Sequence, residues 1–176
     1  MPITEVWSPS GPYIFKSGKR IGRSVEAMMF TDYSLINWMR NKRIAAGGLP
    51  DALHRHLNWI FKRDEELQAP NICSFCQARL IRLFSARGNS SFGYSMGSEY
   101  VCCADRDCIA ALSKGDPKVR IVPLKFSSTL HFSLRSDQRQ VGELLKGIFL
   151  PDMGRLNPQR IFELFRSMSA VATPTE

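Results

Sequence analysis

Five cysteines constrain this chain more than any other feature of its sequence. All five lie between Cys73 and Cys108, within 36 of its 176 residues. Cys73 and Cys76 form a Cys-x2-Cys pair, and Cys102, Cys103 and Cys108 follow as a second group. A Cys-x2-Cys pair on a tight loop directs two thiolates at one ion, and a second pair returned by a hairpin completes a tetrahedral set. The spacing therefore predicts a structural zinc ion.

The predicted ligands are Cys73, Cys76, Cys103 and Cys108, and the open choice is between Cys102 and Cys103. The second arm is Cys-x5-Cys with Cys102 or Cys-x4-Cys with Cys103, and the shorter spacing is nearer the usual ligand loop. Neighbouring residues of an extended strand point to opposite faces, so only one of these two thiols can face the metal. We expect Cys103 to bind it and Cys102 to pack as a small apolar side chain.

Disulfides or unrelated buried thiols are the alternatives to a metal. The sequence from Met1 to Thr4 has neither the charged nor the apolar region of a secretory signal. We therefore expect a reducing, cytoplasmic location, where a metal site is favoured over disulfides. Four thiolate ligands leave no position for an activated water, so the metal is expected to be structural.

The charge of the chain favours a polyanionic partner. The net charge is +8 and the pI is about 9.5, and residues 1–63 hold ten Lys or Arg against four acids. No apolar run approaches the roughly 18 residues of a membrane span, so we expect a soluble protein. Nucleic acid is favoured over anionic lipid because no long basic amphipathic helix is evident.

Residues 13–15 and 20–21 are predicted to form two short strands around a turn at Ser17-Gly18, because aromatic and β-branched residues flank that pair. This hairpin would present four cations to phosphates, although a solvated basic turn is the alternative. The four are Lys16, Lys19, Arg20 and Arg23. Ser24 is predicted to cap a short helix, and Asp32 a longer helix ending at Arg40. Its apolar face would comprise Tyr33, Ile36 and Met39.

The sequence from Gly18 to Glu26, followed by Asp32-Tyr33 and Trp38, resembles the C-terminal-like module of exodeoxyribonuclease X. The shared pattern is a Gly-Lys start, a second glycine with a basic residue and Ser after it, and a later Tyr and Trp. This sequence contains no counterpart of the exonuclease domain that the module accompanies elsewhere. The resemblance therefore implies an accessory, DNA-related role and implies no nuclease activity.

Between the two cysteine groups, residues 79–87 and 94–101 are predicted to form the two strands of a zinc ribbon. Residues 88–93 would be the polar turn that joins them. Arg79 and Arg82 lie on or near the outgoing strand and are the remaining candidates for phosphate contacts. The interleaved aromatic residues suit a nucleic-acid surface but equally suit a small core around the metal; they are Phe84, Phe92 and Tyr94.

The rest of the chain is predicted to be helix and strand. A helix should begin at Pro50 with Leu53, Leu57, Ile60 and Phe61 on its apolar face, leaving His54 and His56 exposed. Trp38 and Trp59 are expected in the core rather than stacked on bases. Residues 118–126 and 128–135 should be extended, since apolar and polar residues alternate in the second of these segments. Helices are predicted over 137–150 and 158–168, the latter capped by Asn157.

Together these patterns predict a small α+β zinc-ribbon protein with short β-hairpins and several helices. Three segments are expected: a basic hairpin-helix module over 1–69, the zinc ribbon over 70–115, and a strand-helix segment over 116–176. No arrangement typical of a catalytic site is present, so the preferred function is non-catalytic binding of nucleic acid, with DNA favoured. The alternative is a zinc-stabilised adaptor that binds protein through its C-terminal apolar helices. A nuclease-associated enzyme is a weaker third possibility.

Overall fold

The computed structural model describes residues 7–46, 50–89, 93–96 and 100–167, and it has the predicted α+β fold. In chain order the helices are α1 (Val25–Thr31), α2 (Tyr33–Ala46), α3 (Asp51–Glu65), α4 (Arg106–Ser113), α5 (Arg135–Phe149) and α6 (Pro158–Ser167). The strands are β1 (Leu83–Asn89), β2 (Gly93–Ser95), β3 (Val101–Cys102) and β4 (Val119–Pro123). Two 3-10 helices span Gly18–Arg20 and Phe126–His131.

Helix α1 lies at the centre of the helical part of the molecule. Five of its seven residues are buried, and it contacts α2, α5 and α6. Ser24 caps it as predicted, because the Ser24 hydroxyl accepts a hydrogen bond from the N–H of Ala27 at 3.0 Å. Since α1 and α3 pack against α5 and α6, the first and third predicted segments share one hydrophobic core. The predicted segment boundaries stay a prediction.

The sheet is antiparallel and is centred on β1. Strand β4 pairs with one edge of β1 over its first five residues, from Leu83↔Pro123 to Arg87↔Val119. On the other edge, β3 pairs with the beginning of β1 and β2 with its end. The predicted ribbon hairpin is therefore present, but its return strand is divided and β4 extends it into a larger sheet. The tip residues 90–92, which include Phe92, lie outside the described residues.

The N-terminal hairpin differs in register from the predicted one. Residues 13–15 pair with 23–25, through the bridge Ile14↔Ser24 and a hydrogen bond from the N–H of Val25 to the carbonyl of Tyr13 at 3.0 Å. Arg20 lies in the 3-10 turn between these segments rather than in a strand. Gly18 and Gly22 both have positive φ, a conformation that glycine adopts easily. They allow the chain to reverse through a longer loop than the predicted two-residue turn.

Residues 128–135 are not a strand, so that prediction was wrong. Phe126–His131 is a 3-10 helix, and of the three alternating apolar residues only Phe132 is buried. The cause lies far away in sequence. The carboxylate of Asp64, at the end of α3, accepts hydrogen bonds from the N–H groups of Phe126 at 2.8 Å and Ser127 at 3.0 Å. These bonds satisfy the first donors of the 3-10 helix.

The other helices agree broadly with prediction. The apolar faces of α2 and α3 are buried as expected, and the carboxamide of Asn157 caps α6 by accepting the N–H of Gln159 at 2.9 Å. Helix α2 continues to Ala46, six residues beyond the predicted end at Arg40. Within the described ranges no helix has the length and apolar character needed to cross a membrane.

Two predictions of exposure and burial were wrong. His56 is buried, with its Nε2 2.5 Å from Oε1 of the buried Glu26, and Glu26 also accepts the N–H of Tyr13. This pair joins the hairpin, α1 and α3. Trp38, expected in the core, is 52% exposed, whereas Trp59 is buried as expected.

Candidate metal centre

The first cysteine pair lies on a tight loop closed by backbone hydrogen bonds. The N–H of Cys73 donates to the carbonyl of Arg79 at 2.7 Å, and the N–H of Gln77 donates to the carbonyl of Cys73 at 2.9 Å. Gln77 adopts a left-handed conformation with φ of 57°, which turns the chain directly after Cys76. Both thiols of the pair are thereby placed on the same side of the loop.

The second pair comes from the junction of β3 and α4. Cys103 follows β3 directly, and Cys108 lies in the first turns of α4. Asp105 caps this helix, since its Oδ1 accepts the N–H of Asp107 at 3.0 Å. This local hydrogen bond gives Asp105 a structural role in the turn between the two cysteines.

The four predicted ligands are the ones that the structure brings together. The Sγ atoms of Cys73, Cys76, Cys103 and Cys108 all lie within 4.8 Å of one another. The Sγ atoms of Cys76 and Cys103 are 3.8 Å apart, and none of these thiols is in a disulfide. A tetrahedron with metal–sulfur bonds of about 2.3 Å has edges of about 3.8 Å, so the spacing fits one tetrahedral ion. The cluster can therefore hold a metal ion.

Backbone N–H groups stabilise the thiolates of the first pair. Burial works against a charged Cys73, but the N–H groups of Cys76, Cys103 and Phe75 outweigh it and lower the pKa of Cys73 to about 6. The N–H groups of Ala78 and Arg79 likewise lower the pKa of Cys76. A lowered thiol pKa favours metal binding, because the thiolate is the ligand.

The pKa values of the second pair are shifted in the opposite direction, upward. The N–H of Asp105 favours a charged Cys103, but burial and the thiols of Cys76 and Cys73 outweigh it and raise the pKa of Cys103. Burial raises the pKa of Cys108, and so do the other three thiols of the cluster, Cys103 most strongly. Four adjacent thiolates repel one another unless a cation lies between them. A divalent ion would supply the charge that deprotonates the second pair.

Cys102 lies outside this group. It is fully buried, and burial raises its pKa to about 11. Its carbonyl accepts the N–H of Arg82 at 2.9 Å, so the residue belongs to the β1–β3 ladder. This is the packing role that strand alternation predicts for the unused cysteine.

The predicted nucleic-acid contacts form two groups. Arg79 and Arg82 are exposed beside the second cysteine arm, and Nη1 of Arg79 lies 2.8 Å from Oδ2 of Asp105, which joins the two arms of the centre. The other four lie on the N-terminal hairpin. Lys16, Lys19 and Arg23 are exposed there. Nη2 of Arg20 lies 3.1 Å from Oδ2 of Asp32, so Arg20 is already engaged by a carboxylate.

Sequence reasoning missed a further set of cations. Arg135 and Arg139, at the start of α5, line a cleft together with Arg20. The predicted pattern separated the two, because it placed Arg135 at the end of an extended segment and only Arg139 in the following helix. Helix α5 in fact begins at Arg135, so both residues share one face.

Comparison of the chain with protein-family models, with curated proteins and with solved structures gave no match. The resemblance of Gly18 to Trp38 to the exodeoxyribonuclease X module therefore stays a prediction.

Proposed function

We propose that this protein is a zinc-stabilised, non-catalytic nucleic-acid-binding protein, accessory to DNA metabolism or to a mobile element. The observation that carries the proposal is the cluster of four thiols within 4.8 Å, bordered by the exposed Arg79 and Arg82. The resemblance of the hairpin to a DNA-associated module supports DNA as the nucleic acid.

Zinc is the metal best suited to this donor set. Soft thiolate ligands in a tetrahedral arrangement select zinc or iron–sulfur chemistry over magnesium or calcium. Four protein ligands fill the coordination sphere, so the ion would tie β3 and α4 to the first loop and would not activate water. The proposed zinc is therefore structural.

Charge supports nucleic acid as the partner. The chain has a net charge of +8, and Lys16, Lys19 and Arg23 extend into solvent from a hairpin with two glycines of positive φ. Exposed cations on a tight hairpin are free to approach phosphates, and each contact releases condensed counterions. Arg20 would contribute less than the other three because Asp32 already pairs with it.

Fluorescence anisotropy with labelled single-stranded DNA, duplex DNA and RNA across a salt series tests the proposal. Binding should weaken steeply with salt. The variant Lys16→Gln/Lys19→Gln/Arg23→Gln should reduce the slope of log K against log salt by about 2 to 3 if each cation contacts one phosphate. The control Arg155→Gln/Arg160→Gln/Arg166→Gln removes the same charge from exposed positions elsewhere and should change the slope little. Absence of binding at low salt would contradict the function.

A protein-binding adaptor is the second candidate, and one observation favours it. Ile72, Phe75 and Leu80, around the first cysteine loop, are apolar and exposed. The docking surface first expected for an adaptor is not available, because the apolar faces of α5 and α6 are buried against α1 and α3. Failure to bind any nucleic acid, with Phe75→Ala abolishing capture of a protein partner, would favour the adaptor.

A further inference from the structure

A cleft of about 310 Å³ opens where α1 ends and α2 begins, beside the second 3-10 helix and the first turns of α5. Four parts of the chain meet at this cleft. They are the N-terminal hairpin, which contributes Arg20, the junction of α1 and α2, the second 3-10 helix and the first turns of α5. The polar lining of the cleft includes Arg20, Asp32, Thr129, Arg135, Gln138 and Arg139.

The charge of this cleft is strongly positive. Three guanidinium groups and one carboxylate line it, and that carboxylate, Asp32, pairs with Arg20. Arg135 and Arg139 are exposed, and within the described part of the chain neither lies in ion-pairing distance of a carboxylate. Like charges four residues apart on a helix repel. An anion between them would turn this repulsion into attraction.

Neutral donors accompany the arginines. Thr129, which is only 4% exposed, lines the cleft with its neutral side chain. Tyr33 and Ser34 also line the cleft and begin α2, where the first N–H groups lack intrahelical acceptors. The Ser34 hydroxyl donates to the carboxamide of Gln138 at 3.0 Å, which joins α2 to α5 at the cleft.

We propose that this cleft binds a phosphomonoester dianion, the terminal phosphate of a nucleic-acid strand. The inference rests on the proposed function and names the part of the strand that the cleft would recognise. The lining carries a net charge of +2, from three arginines and one aspartate. A phosphomonoester carries about −1.5 to −2 at neutral pH, which matches this charge better than the single charge of an internal phosphodiester. Guanidinium groups also bind phosphate oxygens in a bidentate manner.

The volume of the cleft suits a small ligand such as a terminal phosphate, because about 310 Å³ lies at the small end of ligand pockets.

The test uses the full chain and three single strands of one sequence, each with an internal fluorophore. One strand carries a 5′-phosphate, one a 3′-phosphate, and one neither. One of the phosphorylated strands should bind about tenfold more tightly than the unphosphorylated strand, the gain expected for charge-assisted hydrogen bonds. Arg135→Gln/Arg139→Gln should remove that preference. Arg160→Gln/Arg166→Gln, an equal loss of charge on α6, should keep it. If the double variant unfolds, each single variant should lose part of the preference.

Three results would overturn the inference. The first is equal binding of all three strands. The second is a preference for the phosphorylated strand that survives in the Arg135→Gln/Arg139→Gln variant. In both cases the proposed function would stand. Competition by a free nucleoside monophosphate at concentrations as low as the Kd of the phosphorylated strand would assign the cleft to free nucleotides instead. Failure of the wild-type protein to bind any strand would contradict the proposed function itself.

Discussion

At the scale of single residues, two adjacent cysteines have opposite environments. Cys103 lies within the thiol cluster, whereas Cys102 is fully buried in the sheet. The sequence predicted this division because alternation along an extended segment allows only one neighbour to face the metal. It could not predict the buried pair of Glu26 and His56, because each residue is polar in its own local pattern and only the tertiary fold joins them.

Substitution of each cysteine by serine separates these roles. Cys103→Ser should lower zinc content well below one ion per chain, because a hydroxyl is a poor ligand for zinc. Cys102→Ser should keep the metal and lower the free energy of unfolding by about 1 to 3 kcal/mol, because it buries a hydroxyl. Metal analysis of the purified variants measures the first effect and urea unfolding the second. Loss of zinc from the Cys102 variant alone would reverse the ligand assignment.

A second residue-scale prediction concerns Asp64, which accepts the N–H groups of Phe126 and Ser127. Asp64→Ala leaves two donors without their partner and should lower the free energy of unfolding by about 2 kcal/mol. Urea unfolding of this variant beside Asp152→Ala, at an exposed aspartate, measures the difference. Equal stability of the two variants would show that the carboxylate does not hold the 3-10 helix.

The loss of stability caused by Asp64→Ala should depend on pH. Burial is the largest influence on Asp64 and raises its pKa in the folded protein, although hydrogen bonds and Lys125 oppose this. Because the pKa of Asp64 is higher in the folded than in the unfolded protein, the protonated carboxyl group stabilises the fold. This contribution is fully present below the unfolded-state pKa and is lost as pH rises through the folded-state pKa. The stability difference between wild type and Asp64→Ala should therefore shrink as pH rises from about 4, the ordinary pKa of Asp. A difference that grows with pH would contradict this sign.

At the scale of secondary-structure elements, the sequence predicted the features that nearby residues determine and missed those that distant residues determine. The caps of α1 and α6 and the apolar face of α3 were predicted correctly, because their determinants lie within one or two turns. The segment 128–135 was not, because Asp64, more than 60 residues earlier, determines its conformation. The pairing of β4 with β1 was likewise beyond local patterns, since it joins segments on either side of the second cysteine pair.

The contact between α1 and α5 gives an element-scale prediction. A Cβ atom added at Gly142 would lie 2.0 Å from the carbonyl oxygen of Phe30, whereas one added at Gly147, on the same helix, would meet nothing within 4 Å. Gly142→Ala should lower the free energy of unfolding by about 1 to 3 kcal/mol or more because the two helices must separate. Gly147→Ala should raise it by up to about 1 kcal/mol through helix propensity. Chemical denaturation compares the two, and a stable Gly142→Ala variant would contradict the close packing.

At the scale of the whole molecule, the predicted α+β class is confirmed, and the helical core and the thiol cluster rest on different interactions. The helical core rests on apolar packing around α1, whereas the cysteine loops have few buried side chains beyond the thiols themselves. The sequence could predict the thiol cluster because spacing alone constrains it. It could not predict the cleft of Arg20, Arg135 and Arg139, which forms only when the two ends of the chain pack together.

Removal of the proposed zinc should therefore destabilise only the part of the fold around the cysteines. A strong chelator should increase amide exchange in peptides from β3 and α4, while α1 and α5 keep their protection, because apolar contacts hold those helices. Hydrogen exchange followed by mass spectrometry measures both regions in one sample. Uniform loss of protection would show that the metal holds the whole fold, and no change would show that it holds none of it.

The central claim is that four cysteines bind one zinc ion. X-ray absorption at the zinc edge, on protein with its metal content measured, tests this claim most directly. Our account predicts one zinc per chain with four sulfur neighbours at about 2.3 Å. A coordination shell containing nitrogen or oxygen, fewer than four sulfur atoms, or protein that retains no zinc would contradict it.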